Sequence, residues 1–310
     1  MMVSGSVREK TKASLPNEFD FMCNLEHFSS SCKVIDEGTC FPGFVRLKGT
    51  DDSANIDEFF DADGCLVPYL VRSKFEQVVR LVMFDANLWK CCPRICSNFI
   101  LPSSNTGIVH PKPSIIIELC WNGPIYKNMV YSIDLVPVID AGVFWPKGAN
   151  SCSPVLENIQ KQCLFAMTIP RFQHGIYGNE VRISFSLTES AIFDSIPEVI
   201  KDAYIAAKAI REVCPTMLDS EEMLYKDLDK HGSDERSSLA VWVRRIYQRI
   251  YQYLCEDEVF PSFFMPQQDF VASKLKGRDK TRYAAKNLEK EFMACKKMSH
   301  IIHRFLSSDG

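Results

Sequence analysis

The stretch GSVREKTKASLPNEFDFM, residues 5–22, ends in a strand-like segment that carries two acids among aromatic residues. Alternate side chains of a β-strand point to opposite faces, so Glu18 and Asp20 share one face, while Phe19 and Phe21 are predicted to point into the core. Two carboxylates held this close repel each other, and one would take up a proton unless a cation neutralises both. The pair therefore predicts a cation site, and Mg²⁺ prefers oxygen ligands that it shares with substrate phosphates.

A second strand-like segment, SIDLVPV at 132–138, contains Asp134 as a lone acid between apolar residues. A buried, unpaired carboxylate is too unfavourable to stay ionised, so Asp134 either faces solvent or has a positive partner. Three acids on two strands can bind two metal ions about 3.5 to 4 Å apart, which suits phosphoryl transfer. Upstream, Gly5 and Ser6 offer backbone N–H groups and a hydroxyl to a triphosphate, although this dipeptide alone is a weak signal.

The bulk composition is that of a folded protein with a sizeable core. The chain has 310 residues, 46% of them hydrophobic and 24% charged, which suits one large domain or two packed lobes. It contains no apolar stretch of about 18 to 20 residues and no signal-peptide core within residues 1–12, so we predict a cytoplasmic protein without a membrane span. The net charge of −3 means that any nucleic-acid surface must be local.

Cysteines are frequent, but their number and spacing favour free thiols. The chain contains 13 of them, an odd number. One cluster, KCCPRIC, contains Cys91, Cys92 and Cys96 and has three potential metal ligands, yet it has no CxxC pair and no well-spaced histidine. Scattered thiols are therefore the favoured interpretation, and no structural zinc is expected.

The pattern of elements predicts an α+β protein with two lobes. Alternating or β-branched runs predict strands at 18–25, 114–119, 130–139 and 180–187, and helical periodicity predicts a helix at about 70–83. Long amphipathic helices are predicted at 197–214, 237–259 and 281–306. We therefore expect a mixed β-sheet lobe with flanking helices over 1–188, followed by an all-helical lobe over 189–310, with a ligand cleft between them.

These motifs resemble those of a known family. GSVREKTKASLPNEFDFMCNLE resembles the corresponding stretch of cyclic GMP-AMP synthase, and YSIDLVPVI resembles the third-acid strand of the cyclic GMP-AMP synthase-like receptors of the Mab-twenty-one (Mab-21) family. RISFSLTE and FFMPQQDF are similar to later segments of that family, and the matches keep the family's order from residue 5 to about 270. The resemblance implies a bilobal nucleotidyltransferase that makes a cyclic dinucleotide second messenger from two nucleoside triphosphates, such as ATP and GTP.

The resemblance also implies roles for individual residues. Glu18, Asp20 and Asp134 would be the catalytic residues and would hold two Mg²⁺ or Mn²⁺ ions. The implied nucleotide-binding residues are Gly5, Ser6, Arg182, Ser184, Glu189 and Lys208. Strand alternation independently puts Arg182 and Ser184 on a polar face, whereas the helix face that carries Lys208 is equally typical of plain solvent exposure.

A basic region near the end of the chain is a second candidate contact surface. Ten Lys or Arg stand between residues 274 and 304 against three acids. The first five are Lys274, Lys276, Arg278, Lys280 and Arg282. Such charges can neutralise the phosphates of a duplex, and a solvated helix face is an equally good explanation from the sequence alone. The family resemblance favours binding and implies double-stranded RNA or DNA as an activator, as well as a STING-type receptor that reads the product.

Three departures from the family pattern accompany the resemblance. Only MMVS precedes Gly5 where the family has a long helix, which predicts a truncated sequence. The zinc-binding insertion is missing, since residues 190–213 contain no histidine, and the base-stacking segment has no clear counterpart. The rival hypothesis is a non-catalytic nucleotide-binding scaffold of the same family, and the retention of all three acids favours the enzyme. A template-independent polymerase of the superfamily is less favoured because the motifs resemble the sensor branch.

Overall fold

The structure, a computed structural model, describes most of the first two thirds of the chain. The described residues are 1–13, 15, 17–36, 41–50, 56–85, 87, 90, 94–100, 114–149, 164–173, 176–213, 224, 228, 239, 241–243, 245, 246 and 263–265. The chain divides into two compact units, Met1–Ser195 and Ile196–Gly310. Each unit is described separately below.

The first unit combines nine strands with short flanking helices. The strands are β1 (Met2–Ser4), β2 (Glu18–Asn24), β3 (Cys32–Ile35), β4 (Phe44–Gly49), β5 (Ile95–Ile100), β6 (Ile115–Trp121), β7 (Met129–Asp140), β8 (Phe165–Gln173) and β9 (Ile176–Ser184). The α-helices are α1 (Gly5–Arg8), α2 (Glu26–Ser31), α3 (Pro68–Met83) and α4 (Ser186–Ser195), with a 3₁₀ turn at Asp57–Phe59. The boundary that the sequence predicts after residue 188 lies inside α4.

All nine strands form one mixed sheet, which confirms the predicted α+β class with a mixed sheet. The main order is β1-β2-β7-β8-β9-β4-β3, and β6 pairs with both β7 and β5. Only β2 and β7 pair in parallel among these strands. The length of β7 lets it contact β6 along its first part and β8 at its end, so β7 is the central strand of the unit.

The two faces of the sheet have different neighbours. On one face, Tyr131, Ile133 and Leu135 of β7 pack with α3 and β6, in a cluster whose buried members are Val79, Met83, Ile115, Ile117 and Leu119. Helix α3 begins with Pro68, whose fixed φ suits a first helical turn, two residues before the predicted start. The apolar side of the predicted amphipathic helix is thus the side that covers this face.

The opposite face carries the acids and a smaller apolar cluster. Met22 lies two residues beyond Asp20 on the same face of β2, and it is only 3% exposed, packed with Val138 and Phe165. Residues Met2 and Leu187 cover this cluster from β1 and α4. The predicted core position of Phe19 and Phe21 is only partly correct, because both are half-buried. The sheet is covered on both faces here. The face of β2 that carries the acids is therefore also partly buried, at Met22.

The fourth predicted strand ends earlier than expected. The sequence predicted a strand through residue 187, but β9 ends at Ser184 and α4 begins at Ser186. The Ser184 hydroxyl oxygen accepts a hydrogen bond from the Ser186 backbone N–H at 3.3 Å, and the two hydroxyls lie 2.9 Å apart. Local side-chain bonding to the backbone of this kind turns a strand into a helix start.

In the second unit, the structure describes helix α5 (Glu198–Val213) and the single positions given above. Helix α5 agrees with the helix predicted at 197–214. The helix predicted at 281–306 lies outside the described residues, as does most of the one predicted at 237–259. None of the helices within the described ranges is long and apolar enough to cross a membrane.

Four of the described cysteines, Cys23, Cys32, Cys65 and Cys120, form no disulfide bond. Burial raises the pKa of the Cys32 thiol to about 11, so it stays protonated at neutral pH. Cys91 and Cys92 lie outside the described residues.

Candidate active site

Three carboxylates converge where β2 and β7 run side by side. One oxygen from each of Glu18, Asp20 and Asp134 lies within 4.8 Å of the other two. Parallel pairing puts Asp20 directly opposite Asp134 and Glu18 opposite Ser132, so the acids share a face of the sheet. Carboxylate oxygens at this separation fit Mg²⁺ or Mn²⁺, which are hard cations that favour oxygen donors.

Gly5 lies directly against the triad. Its φ is +64°, in the left-handed region that favours glycine. A Cβ at this position would overlap the Oδ2 atom of Asp20 and lie 3.1 Å from its Cγ. Strand β1 brings Gly5 here because Ser4 pairs with Asp20 in the adjacent antiparallel strand. Both the backbone conformation and the neighbouring carboxylate therefore require a glycine.

The loop after Gly5 returns the chain to the triad through a Schellman motif. Helix α1 ends at Arg8, and Lys10, two residues further on, has φ 58°. The Thr11 N–H donates to the Ser6 carbonyl at 2.9 Å, and the Lys10 N–H donates to the Val7 carbonyl at 3.4 Å. Lys12 follows at once, and its Nζ lies 3.2 Å from Oε2 of Glu18. The Lys12 side chain is 18% exposed and that of Glu18 is 53% exposed. Lys12 was not predicted from the sequence as a site residue, although its place in the loop before the acids was a signal.

Asp134 is half-buried and is held by a neighbouring hydroxyl. The Ser114 hydroxyl donates to Asp134 Oδ2 at 2.8 Å, and Ser114 is itself 7% exposed. The Arg72 guanidinium on α3 donates to the Ser114 carbonyl at 3.4 Å. From the sequence, Asp134 was expected either to face solvent or to have a positively charged partner. The structure adds a neutral hydrogen-bond donor, the Ser114 hydroxyl. Ser114 was missed because it precedes β6, and its closeness to Asp134 depends on the β6–β7 register.

Three of the predicted nucleotide-binding residues lie on β9 and α4. Arg182 retains solvent contact, yet partial desolvation lowers the pKa of its guanidinium, while the nearby Glu189 carboxylate raises it in part. Glu189 is in the first turn of α4, where a negative charge is favoured. Ser184 is 6% exposed and its hydroxyl is engaged with Ser186, so a nucleotide contact would require that bond to rearrange.

The other predicted nucleotide-binding residues lie elsewhere. Ser6 is half-buried in α1, next to Gly5. Lys208 belongs to the second unit, where its ammonium lies 5.1 Å from the centroid of the Tyr204 ring. The predicted nucleic-acid-binding residues Lys274, Lys276, Arg278, Lys280 and Arg282 lie outside the described residues.

A surface cavity of about 550 Å³ lies away from the triad, at the C-terminal ends of β2 and β7. Two hydrogen bonds connect residues of its lining. The Ser29 hydroxyl donates to Asn24 Oδ1 at 2.9 Å, and the Asp140 N–H donates to the Ser29 hydroxyl oxygen at 2.9 Å. These bonds connect α2 to β2 and β7.

Comparison with known proteins defines the class of this domain. Residues 7–195, more than half of the chain, match the family model described as the Mab-21 protein nucleotidyltransferase domain. The match ends at the last residue of the first compact unit. The chain thus carries a nucleotidyltransferase domain, and it belongs to the Mab-21 family.

A curated relative supports the finer part of the resemblance. A cyclic GMP-AMP synthase-like receptor from Magallana gigas is 31% identical over 150 residues, which are 47% of this chain and 22% of the relative. The aligned part of this chain therefore spans about a fifth of that relative's length. The predicted likeness to cyclic GMP-AMP synthase-like proteins of this family is confirmed.

Proposed function

We propose that this chain is a nucleotidyltransferase that joins two nucleoside triphosphates into a cyclic dinucleotide. The observation that carries the proposal is the convergence of Glu18, Asp20 and Asp134 within 4.8 Å, on two neighbouring parallel strands. The family match and the likeness to a cyclic GMP-AMP synthase-like receptor support the same activity.

The proposed reaction consists of two successive transfers. In each, a ribose hydroxyl oxygen attacks an α-phosphorus, the hydroxyl proton leaves to solvent, and the bond from the α-phosphorus to the bridging oxygen breaks. Pyrophosphate departs with the electron pair, and the second transfer closes the ring. Two Mg²⁺ or Mn²⁺ ions would supply activation of the hydroxyl and stabilisation of the leaving group.

The residues of this chain would bind and orient the reactants. Glu18, Asp20 and Asp134 would hold the ions, and the hydroxyl of Ser114 keeps Asp134 oriented. Ser6 and the backbone beside Gly5 would contact the triphosphate. Arg182 adds a positive charge for nucleotide phosphates, and Glu189 and Lys208 are further proposed contacts.

The proposal is tested by incubating the purified chain with ATP, GTP, UTP and CTP, with Mg²⁺ or Mn²⁺, and with duplex RNA or duplex DNA. We expect a phosphatase-resistant dinucleotide and release of two pyrophosphates per product. Mass spectrometry identifies the product and its bases. If calorimetry detects nucleotide binding but no product forms, the result would contradict the proposed enzyme activity and support a non-catalytic nucleotide-binding scaffold.

We further propose that double-stranded nucleic acid activates the enzyme and that a STING-type receptor reads its product. The basic excess between residues 274 and 304 supports the first part, because such charges neutralise duplex phosphates without reading sequence.

Reversing three charges of this region tests the activating surface. Lys274→Glu, Lys276→Glu and Lys280→Glu together are expected to weaken duplex binding by about 100-fold or more and to flatten its dependence on salt. Fluorescence anisotropy over a range of salt concentrations measures both effects. Lys33→Glu, on strand β3, is the control for charge reversal elsewhere. Unchanged binding in the triple variant would assign the region to a solvated surface.

A further inference from the structure

The Lys12 ammonium forms a salt bridge with the Glu18 carboxylate, which is also a proposed ligand of Mg²⁺ or Mn²⁺. We propose that Lys12 is the resident counter-ion of the metal-free triad, and that it competes with a divalent cation for Glu18. This inference rests on the proposed function, since it takes the triad as the metal site. Lys12 is accordingly a positioning residue.

The metal-free triad needs a positive neighbour. Three carboxylate oxygens within 4.8 Å of one another repel strongly, and each unit of positive charge nearby lowers the free energy of this arrangement. The Nζ atom of Lys12 is 3.2 Å from Oε2 of Glu18, a distance for a charge-assisted hydrogen bond. With Lys12, the formal charge of the group changes from about −3 to about −2.

The position of Lys12 is built into the fold. The Schellman motif that ends α1 fixes the backbone directly before Lys12. The Lys12 side chain is also mostly buried, at 18% exposure, so it is screened less by salt than a surface lysine. Its partner Glu18 is 53% exposed and accessible to an incoming cation. The arrangement therefore holds one charge in place while leaving the carboxylate open to exchange.

Competition follows from this geometry. A cation that takes Oε2 of Glu18 as a ligand competes with Lys12 for the negative charge of that carboxylate, and the lysine charge close by repels it. Lys12 thus makes the metal-free fold more stable and divalent binding weaker.

The experiment uses Lys12→Met, which removes the charge and keeps much of the apolar stem. Without nucleotide, we expect Mn²⁺ to bind Lys12→Met about 3- to 10-fold more tightly than wild type, since one repelling charge is gone. The melting temperature is expected to fall without metal and to recover with Mn²⁺. Free Mn²⁺ measured by electron paramagnetic resonance, and differential scanning fluorimetry, report the two effects.

Two control variants separate charge from shape. Lys12→Arg keeps the charge and is expected to resemble wild type in both measurements. Lys10→Met removes a charge from the same loop at an exposed position, and it is expected to change Mn²⁺ affinity by less than about twofold. If Lys12→Met does not fold, Lys12→Met with Glu18→Gln is expected to restore folding, because the carboxylate left without its lysine is gone.

The outcomes distinguish the inference from the proposed function. If wild type binds Mn²⁺ and Lys12→Met binds it equally well or more weakly, the inference is overturned, while the proposed metal site is retained. Failure of wild type to bind Mn²⁺ without nucleotide overturns the inference, whereas the proposed function is overturned by the synthesis assay. Failure of the double variant to fold assigns Lys12 to packing and also overturns the inference.

Discussion

We expect Glu18→Gln combined with Asp20→Asn to lower the proposed synthesis of a cyclic dinucleotide by at least about 1,000-fold. The amides keep the size of the acids but lose two of the three negative charges at the triad. Asp134 alone would not hold the two proposed divalent ions, so the charge on the transferred nucleotidyl group would be left uncompensated. Product formation is measured from radiolabelled nucleoside triphosphates at saturating Mn²⁺.

The matched control is Glu118→Gln on β6. Glu118 is exposed and pairs with Ser132, the residue that also stands opposite Glu18, so it lies on the same face next to the triad. We expect its loss to change the rate by less than about threefold. Circular dichroism checks that the double variant is folded. Synthesis that persists in the folded double variant would remove the three acids from the mechanism.

Glu18, Asp20 and Asp134 could be singled out from the sequence because they are charged residues within otherwise apolar strand segments. Charged residues in β2 and β7 interrupt apolar alternation, and both strands were found at nearly their observed bounds. The register that puts Asp20 opposite Asp134 was not predictable, since pairing between distant strands depends on the whole sheet. The sequence thus indicated which three acids to consider as metal ligands, and the fold supplies their distance.

The residues that support the acids were harder to predict. Ser114 is an ordinary serine in the sequence, and only the antiparallel approach of β6 brings its hydroxyl to Asp134. Met22 was missed as a core residue because strict alternation assigned one buried face to β2. Alternation fails wherever both faces of a strand are covered. Ser184 was assigned to a polar face, but its hydroxyl serves the start of α4.

Gly5 was proposed from the sequence as a triphosphate contact, and the structure gives it a second role beside Asp20. Gly5→Ala is therefore expected to lose activity far beyond its loss of stability. Alanine at φ +64° destabilises the fold by roughly 1 to 2 kcal/mol. The new Cβ also overlaps Asp20 Oδ2, so either the carboxylate or strand β1 must move.

The displaced atom is a proposed metal ligand, and this is why activity suffers more than folding. A shift of one carboxylate by about 1 Å is enough to lower a rate by about 100-fold. We expect Gly5→Ala to bind Mn²⁺ at least about 10-fold more weakly and to synthesise product at least about 100-fold more slowly. Calorimetry with Mn²⁺ and the radiolabel assay measure these losses.

Gly142→Ala is the matched control, because it separates backbone strain from the overlap. Gly142 has φ +71°, and a Cβ there would meet nothing within 4 Å. Both variants carry the strain of a left-handed alanine, so their melting temperatures should fall together by a few degrees. Only Gly5→Ala changes the space around Asp20. Equal Mn²⁺ affinity and equal synthesis in the two variants would mean that the glycine is required by the turn alone, whereas a defect confined to Gly5→Ala identifies it as the residue that leaves room for the carboxylate.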